Sequence, residues 1–129
     1  MFEKMLVVIS LSALNICWGL VASIQAPFFP IEAASKGATA TQFGAVFGII
    51  HLAIFITSPL MGKMVAKLGL GNIFKSGLLL SCFCALSFGF LTYIDNAVLF
   101  LVLAYVLRFM EGIGMAALWT SMLALLLAR

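Results

Sequence analysis

The longest apolar run in the sequence decides the fold. It spans residues 97–128 and reads AVLFLVLAYVLRFMEGIGMAALWTSMLALLLA. Its only charged residues are Arg108 and Glu111. About 20 predominantly apolar residues suffice to cross the hydrocarbon layer of a bilayer, which is roughly 30 Å thick. The run therefore predicts a transmembrane helix that is tilted or extends past the bilayer, and the alternative is a break near Gly112 or Gly114.

Three further runs are long and apolar enough to span a membrane, at residues 5–29, 42–61 and 74–93. We therefore predict an all-α membrane protein with four transmembrane helices in one domain over residues 1–129. The composition supports this fold class, because 65% of the residues are hydrophobic and only 9% are charged. Soluble domains are about a quarter charged, and a soluble fold of this size could not cover so much apolar surface.

The connections between the spans carry turn signals. Pro27 and Pro30 are predicted to end the first helix, and a polar loop follows at residues 32–41. The second connection, residues 62–72, is rich in glycine and lysine, and the third is a short turn at residues 95–96.

The distribution of basic residues predicts the orientation in the membrane. With four spans, the N-terminus, the second connection and the C-terminus lie on one side. Of the basic residues, only Lys36 belongs to the opposite side. The basic residues on the first side are Lys4, Lys63, Lys67, Lys75 and Arg129. Cytoplasmic segments carry the excess of Lys and Arg, so we expect a cytoplasmic N-terminus. The same scattering of basic residues argues against a nucleic-acid partner.

Arg108 and Glu111 are the strongest candidates for a functional site. Arg108 follows the start of the fourth helix by about 16 Å, which is near the midplane of the bilayer. The two residues are spaced i, i+3, so they share a helix face and can pair. Ionisable residues at this depth usually face a cavity or the interior of the bundle, which favours an ion or substrate pathway. The alternative is a structural pair that fixes helix packing.

Asn15 and His51 are further polar residues within predicted spans. Asn15 shares a small and polar face of the first helix with Ser12, Gly19 and Ser23, so it either lines a cavity or packs against a helix. His51 is a possible proton carrier, and the alternative is a hydrogen-bonded packing residue.

Pairs of glycines predict close helix approach. Gly44 and Gly48 of the second helix match the small-xxx-small pattern, and we also expect Gly112 and Gly114 to pack against neighbouring helices.

The sequence contains no motif for catalysis or metal binding. It lacks the patterns Gly-x-Ser-x-Gly and His-Glu-x-x-His and a P-loop, so we do not expect an enzyme. Cys17, Cys82 and Cys84 lie in apolar runs without the spacing of a zinc site, and they are interpreted as packing residues. We expect no metal and no cofactor.

Two motifs resemble those of the major facilitator superfamily. Gly62, Lys67 and Gly69 match in type the family signature Gly-x-Leu-Ala-Asp-Arg-x-Gly, found between helices two and three. Ala66 stands where the family usually has Asp, which puts in doubt the gating contacts attributed to that acid. In the fourth span, Arg108-Phe-Met-Glu-Gly-Ile-Gly114 resembles the pattern Arg-x-x-x-Gly-x-Gly. The resemblance implies that Arg108 takes part in proton or substrate coupling.

The stretches at residues 26–38 and 44–48 resemble the vesicular amine transporter branch, and within it most of all the vesicular polyamine transporter type. The family fold has twelve helices built from three-helix repeats. The resemblance therefore implies that residues 1–129 form a partial transporter domain, namely part of the N-terminal half of a major facilitator fold. The chain would then be a fragment, a partial gene model or a truncated isoform. The partners of the chain would be the missing helices of the same transporter, protons and the lipid bilayer. The location implied is a vesicle or other endomembrane, or alternatively the plasma membrane.

The resulting hypothesis is a proton-coupled antiporter for small organic cations such as polyamines. By the resemblance, Asn15, Arg108 and Glu111 face the substrate. Two alternatives are a complete four-helix exporter that works as a dimer and a four-span interaction protein that does not transport. Such exporters carry an essential acid in the first helix, which here has none near its middle, and no extended loop or tail exists for a partner.

The topology prediction can be tested by cysteine labelling. A cysteine that replaces Lys67 should resist an impermeant thiol reagent added to intact cells, because the residue faces the cytoplasm. A Ser35→Cys variant, in the connection on the opposite side, is the control and should react. Labelling of the Lys67→Cys variant from outside would contradict the predicted orientation.

Overall fold

The computed structural model describes residues 2–128, apart from the side chains of Glu3 and Lys4. Arg129 and the Lys4 side chain, on which the topology prediction partly depends, lie outside this description. The secondary structure consists of four α-helices: α1 (Phe2–Ser35), α2 (Ala40–Leu68), α3 (Leu70–Phe90) and α4 (Ala97–Leu127). A short 3-10 turn, Leu91–Tyr93, follows α3. All four helices are long and apolar enough to cross a membrane, which confirms the predicted fold class.

Helix α1 is longer than predicted. Pro27 and Pro30 lie inside the helix and do not end it, so this boundary prediction is wrong. Each proline removes only one backbone hydrogen bond, and neighbouring groups in a membrane bundle can compensate for it. The helix around Pro30 is held by packing, because Phe29 before it and Ala33 after it are both buried. The connection to α2 is therefore shorter than the predicted polar loop and covers only residues 36–39.

The second connection is almost absent. Instead of a loop over residues 62–72, α2 runs to Leu68 and α3 begins at Leu70, so Gly69 alone separates them. Gly69 has φ +86°, a left-handed conformation that glycine adopts without steric cost. Gly62 and Lys67 consequently lie within α2, where both are exposed.

Side chains of turn residues fix where the helices start. Thr39 and Gln42 form a capping box at the start of α2, in which each side chain bonds to the backbone of the other residue. At the start of α4, the Asn96 carboxamide oxygen accepts hydrogen bonds from the backbone N–H groups of Val98 and Leu99. Helix α4 continues from this cap without a break at Gly112 or Gly114.

Helix α4 is the central helix of the bundle and packs closely against α2 and α3. A Cβ atom at Gly112 would lie 2.6 Å from the Ile50 carbonyl oxygen of α2. A Cβ atom at Gly114 would lie 2.5 Å from the Ser81 hydroxyl oxygen of α3. Both glycines therefore lie at close helix contacts. Helix α1 packs less tightly, and most of its large apolar side chains are exposed.

Gly44 and Gly48, whose spacing predicts a helix contact, have no such contact among the described residues. Both lie on an exposed part of α2, and a Cβ atom on either would meet no atom within 4 Å. The side of α2 that contacts α4 is instead the one that carries the buried residues Val46, Ile50 and Ala53. Small residues permit a close approach, but the remaining packing decides which face of the helix is used.

Matched glycine substitutions test this packing. Gly112→Ala should lower the free energy of unfolding by about 1–3 kcal/mol, because the new methyl group forces α4 away from the α2 backbone. Gly48→Ala is the control and should be neutral or stabilising by up to about 1 kcal/mol, since alanine favours the helix and meets no neighbour. Unfolding in mixed micelles would measure both changes. Equal effects of the two substitutions would contradict the close contact.

Candidate functional site

Arg108 and Glu111 form a buried ion pair on α4. Arg108 is only 4% exposed and Glu111 only 2%. The Arg108 Nη1 donates a hydrogen bond to the Glu111 Oε2 over 2.6 Å. One turn of helix separates the two residues, so the backbone itself brings the charges together. Charges in a low-dielectric interior are tolerated only when they are paired and hydrogen-bonded, and this geometry meets that requirement.

A third polar side chain joins the pair from α1. The Arg108 Nη2 donates to the Gln25 Oε1 over 2.8 Å, which links residues 83 positions apart. Sequence reasoning missed Gln25, because it lies off the polar face of α1 that contains Asn15. The sequence signal for Gln25 was that an amide side chain is costly within an apolar span. That cost does not indicate which residue the amide would bind.

Aromatic rings enclose the guanidinium group. The Arg108 Cζ lies 3.9 Å from the centroid of the Phe88 ring of α3 and 5.5 Å from that of Phe47 of α2. Such cation–π contacts are strongest when the cation is desolvated, as it is here. The guanidinium therefore contacts side chains from all three other helices. The Arg108 Nε is buried and has no hydrogen-bond partner among the described residues.

The rings continue as a stack toward the end of the bundle that carries the connection between α1 and α2. Phe29 of α1 lies 4.9 Å from Phe88 and 5.5 Å from Phe100, measured between ring centroids. Phe47 meets Phe29 edge-on at 5.6 Å. This Phe stack, which we define as Phe88, Phe29 and Phe100, joins α3, α1 and α4.

The structure does not bring Asn15 to the ion pair. Asn15 precedes Gln25 by ten residues on α1, which corresponds to roughly 15 Å. Its Nδ2 donates to the Leu11 carbonyl oxygen over 3.0 Å and lies 3.9 Å from the Met122 Sδ of α4. Asn15 also lines a cavity of about 190 Å³ between α1, α3 and α4, whose walls include Trp18 and Trp119.

His51 and the loop motif also lie apart from the ion pair. His51 is exposed, and its Nδ1 lies 3.3 Å from the Phe47 carbonyl oxygen of its own helix. Gly62, Lys67 and Gly69 lie toward the far end of α2, with Lys67 roughly 30 Å along the helix from Phe47. Of the predicted site residues, only Arg108 and Glu111 therefore meet directly.

The role of Gln25 can be tested by its effect on stability. Gln25→Leu keeps the bulk but removes the acceptor, so it should cost about 1–3 kcal/mol by leaving a guanidinium donor unpaired. Ser23→Ala is the control, because the exposed Ser23 hydroxyl donates to the Gly19 carbonyl of the same helix and to no other described residue. Unfolding in micelles measures the stability of each variant. An unchanged stability of the Gln25→Leu chain would contradict the hydrogen bond between Gln25 and Arg108.

Comparisons with known proteins agree with the family resemblance in the sequence. The profile of the Major Facilitator Superfamily matches residues 11–129. The chain is 30% identical over 119 residues to the MFS-type transporter SLC18B1 of Mus musculus. The proteins of the same name from Rattus norvegicus and Homo sapiens match with the same identity. No solved structure matches the chain.

The aligned part covers 92% of this chain, and the chain spans 26% of the length of these relatives. The family profile begins at Leu11 in α1 and includes the whole of α2, α3 and α4. The chain is thus an integral membrane protein that belongs to the major facilitator superfamily.

Proposed function

We propose that the chain forms the first four helices of a secondary active transporter that exchanges protons for small organic cations such as polyamines. The observation that carries this proposal is the ion pair of Arg108 and Glu111, buried near the middle of α4. The relatives are named as transporters, and they are about three and a half times as long as this chain, since 119 aligned residues make up 26% of their length. We therefore also propose that further helices of the same protein complete the transport pathway.

Glu111 is the group that would exchange a proton for a cation. As a carboxylate it can pair with Arg108, accept a proton or bind the ammonium group of an amine. Protonation of Glu111 would weaken the ion pair, because the charge attraction is lost. Arg108 would still keep its bond to Gln25 and its contact with the Phe88 ring. These contacts allow the pair to open without leaving a bare guanidinium in the membrane.

Access to Glu111 requires a change of conformation. At 2% exposure the carboxylate cannot meet a substrate in the present arrangement. Secondary transporters of this kind open a midplane site to one side of the membrane at a time by moving helix bundles against each other. The loosely packed α1, which reaches the pair through Gln25, is the element whose movement would uncover it.

The remaining predicted residues have supporting roles in this proposal. Asn15 lines the cavity beside α4 and would form part of the pathway. His51 is exposed on α2 and would carry a proton or contact a further helix. Gly62, Lys67 and Gly69 would form the gating motif on the cytoplasmic side, with the N-terminus on the same side. The location proposed is a vesicle or other endomembrane, or the plasma membrane.

Membership of the superfamily argues against the two alternatives. A complete four-helix exporter that works as a dimer would be a different fold family. A four-span interaction protein would have no need of an ion pair near the midplane, where each charge costs at least about 2.5–3.5 kcal/mol.

Substitutions of the ion pair in the full-length transporter test the proposal. Glu111→Gln keeps the shape and one acceptor but loses the exchangeable charge, so expression should survive and uptake should fall on the order of tenfold or more, about 1.4 kcal/mol or more. Arg108→Ala should lower both expression and uptake, because it strands the buried acid. Gradient-driven uptake into proteoliposomes, normalised to folded protein, measures both.

The control is Asp95→Asn, the same change of acid to amide at an exposed turn residue. It should leave uptake unchanged. Near-normal uptake by the Glu111→Gln protein would assign the carboxylate a structural role and would remove the basis of the proposed exchange.

A further inference from the structure

The ammonium group of Lys36 is held by four groups at the end of the bundle. Its Nζ donates to the carbonyl oxygens of Thr92 and Ile94, over 3.1 Å and 2.5 Å. It lies 3.3 Å from the Glu32 Oε1 and 5.1 Å from the centroid of the Phe100 ring. Lys36 is the one lysine predicted to lie on the side of the membrane opposite the other basic residues. These contacts account for a lysine on that side.

These groups are of the kinds that bind a primary ammonium. An ammonium has three N–H donors and no acceptor; the two carbonyls accept hydrogen bonds from it, and the Glu32 carboxylate at 3.3 Å provides the opposite charge. The ring face of Phe100 adds a cation–π contact. The lysine side chain is chemically a butylammonium attached to the backbone. The four groups contact its ammonium, so they could hold the ammonium of a free alkylamine in the same way.

A cavity adjoins the groups that hold Lys36. It has a volume of about 170 Å³, far above the roughly 10–15 Å³ needed to hold a single water molecule. Glu32, Thr92 and Phe100 line it, and the other walls include Gln25, Phe29 and Phe88. The walls are mainly apolar and aromatic, so the cavity suits an alkyl chain. Its far end reaches Gln25, which is bonded to Arg108.

We propose that Glu32, Thr92, Ile94 and Phe100 form a binding site for the primary ammonium of an aliphatic amine, which Lys36 occupies when no amine is bound. The alkyl chain of the amine would lie in the adjoining cavity. Lys36 can leave without a rearrangement of the helices, because it begins the connection after α1 and its neighbours Ser35 and Gly37 are exposed. The role of this site in transport rests on the proposed function, whereas binding of the amine does not.

The tethered ammonium acts as an internal competitor. A group held by a short flexible tether has an effective concentration in the millimolar range, so a free amine must compete with it. Removal of the Lys36 charge should therefore strengthen binding of a free amine. Removal of the Glu32 charge as well should abolish the gain, since the carboxylate provides the charge attraction.

Equilibrium dialysis of radiolabelled n-butylammonium with the 129-residue chain in micelles tests the site. Lys36→Met keeps the apolar stem and should bind the amine about tenfold more tightly than the unsubstituted chain, about 1.4 kcal/mol. The double variant Lys36→Met with Glu32→Gln should lose this gain. Lys63→Met, which removes an exposed lysine near the other end of α2, is the control and should match the unsubstituted chain. Equal binding by all four chains would overturn the proposal.

A second measurement needs no substitution. Titration of the unsubstituted chain with n-butylammonium should shift the backbone amide resonances of Glu32, Lys36 and Ile94, and leave those near Lys67 unchanged. Absence of such shifts at saturating amine would also overturn the site. Uptake by the full-length protein is measured separately, so loss of the proposed transport function and loss of this site are distinguishable.

Discussion

The guanidinium of Arg108 and the carboxylate of Glu111 lie one helical turn apart on α4, where lipid and protein exclude water. Their charges must therefore be neutralised by each other and by neighbouring groups. The hydrocarbon layer supplies no hydrogen-bond partner. The other helices must therefore provide the contacts that Arg108 and Glu111 do not provide for each other. Gln25 of α1 accepts from Arg108, and Phe88 of α3 and Phe47 of α2 lie against the guanidinium. The four helices therefore meet at the level of the pair. Substitutions of any of these groups change the environment of a buried charge as well as a local contact.

The contacts of α1 differ on the two sides of this level. Toward the connection between α1 and α2, the Phe stack leads from Arg108 to Phe100, whose ring contacts Lys36. Toward the opposite end, cavities of about 190 Å³ and 300 Å³ separate α1 from α3 and α4. Helix α1 is thus held by ring contacts in its C-terminal half, which borders one cavity of about 170 Å³, and has more space beside its N-terminal half.

Sequence patterns predicted the four spans and the pairing of Arg108 with Glu111, because both depend on residues close together in the chain. Hydropathy over about 20 residues and an i, i+3 spacing are local signals. The bond to Gln25 and the contacts of Lys36 join segments far apart in the sequence, and local patterns carry no information about such partners. The ends of α1 and the single-residue connection at Gly69 were missed for another reason. Proline and glycine indicate positions where the backbone conformation can change. Tertiary packing decides whether the helix ends at such a position.

Both acids in contact with cations have a resident partner on the adjacent turn of their own helix. Glu32 pairs with Lys36 at i, i+4, and Glu111 pairs with Arg108 at i, i+3. A carboxylate without a partner would bind an incoming cation too tightly to release it, and it would be costly to bury when empty. A carboxylate with a tethered cation exchanges one positive charge for another, so its site stays close to neutral throughout. For the proposed transporter of organic cations, such an exchange would keep the free-energy difference between the empty and loaded states small.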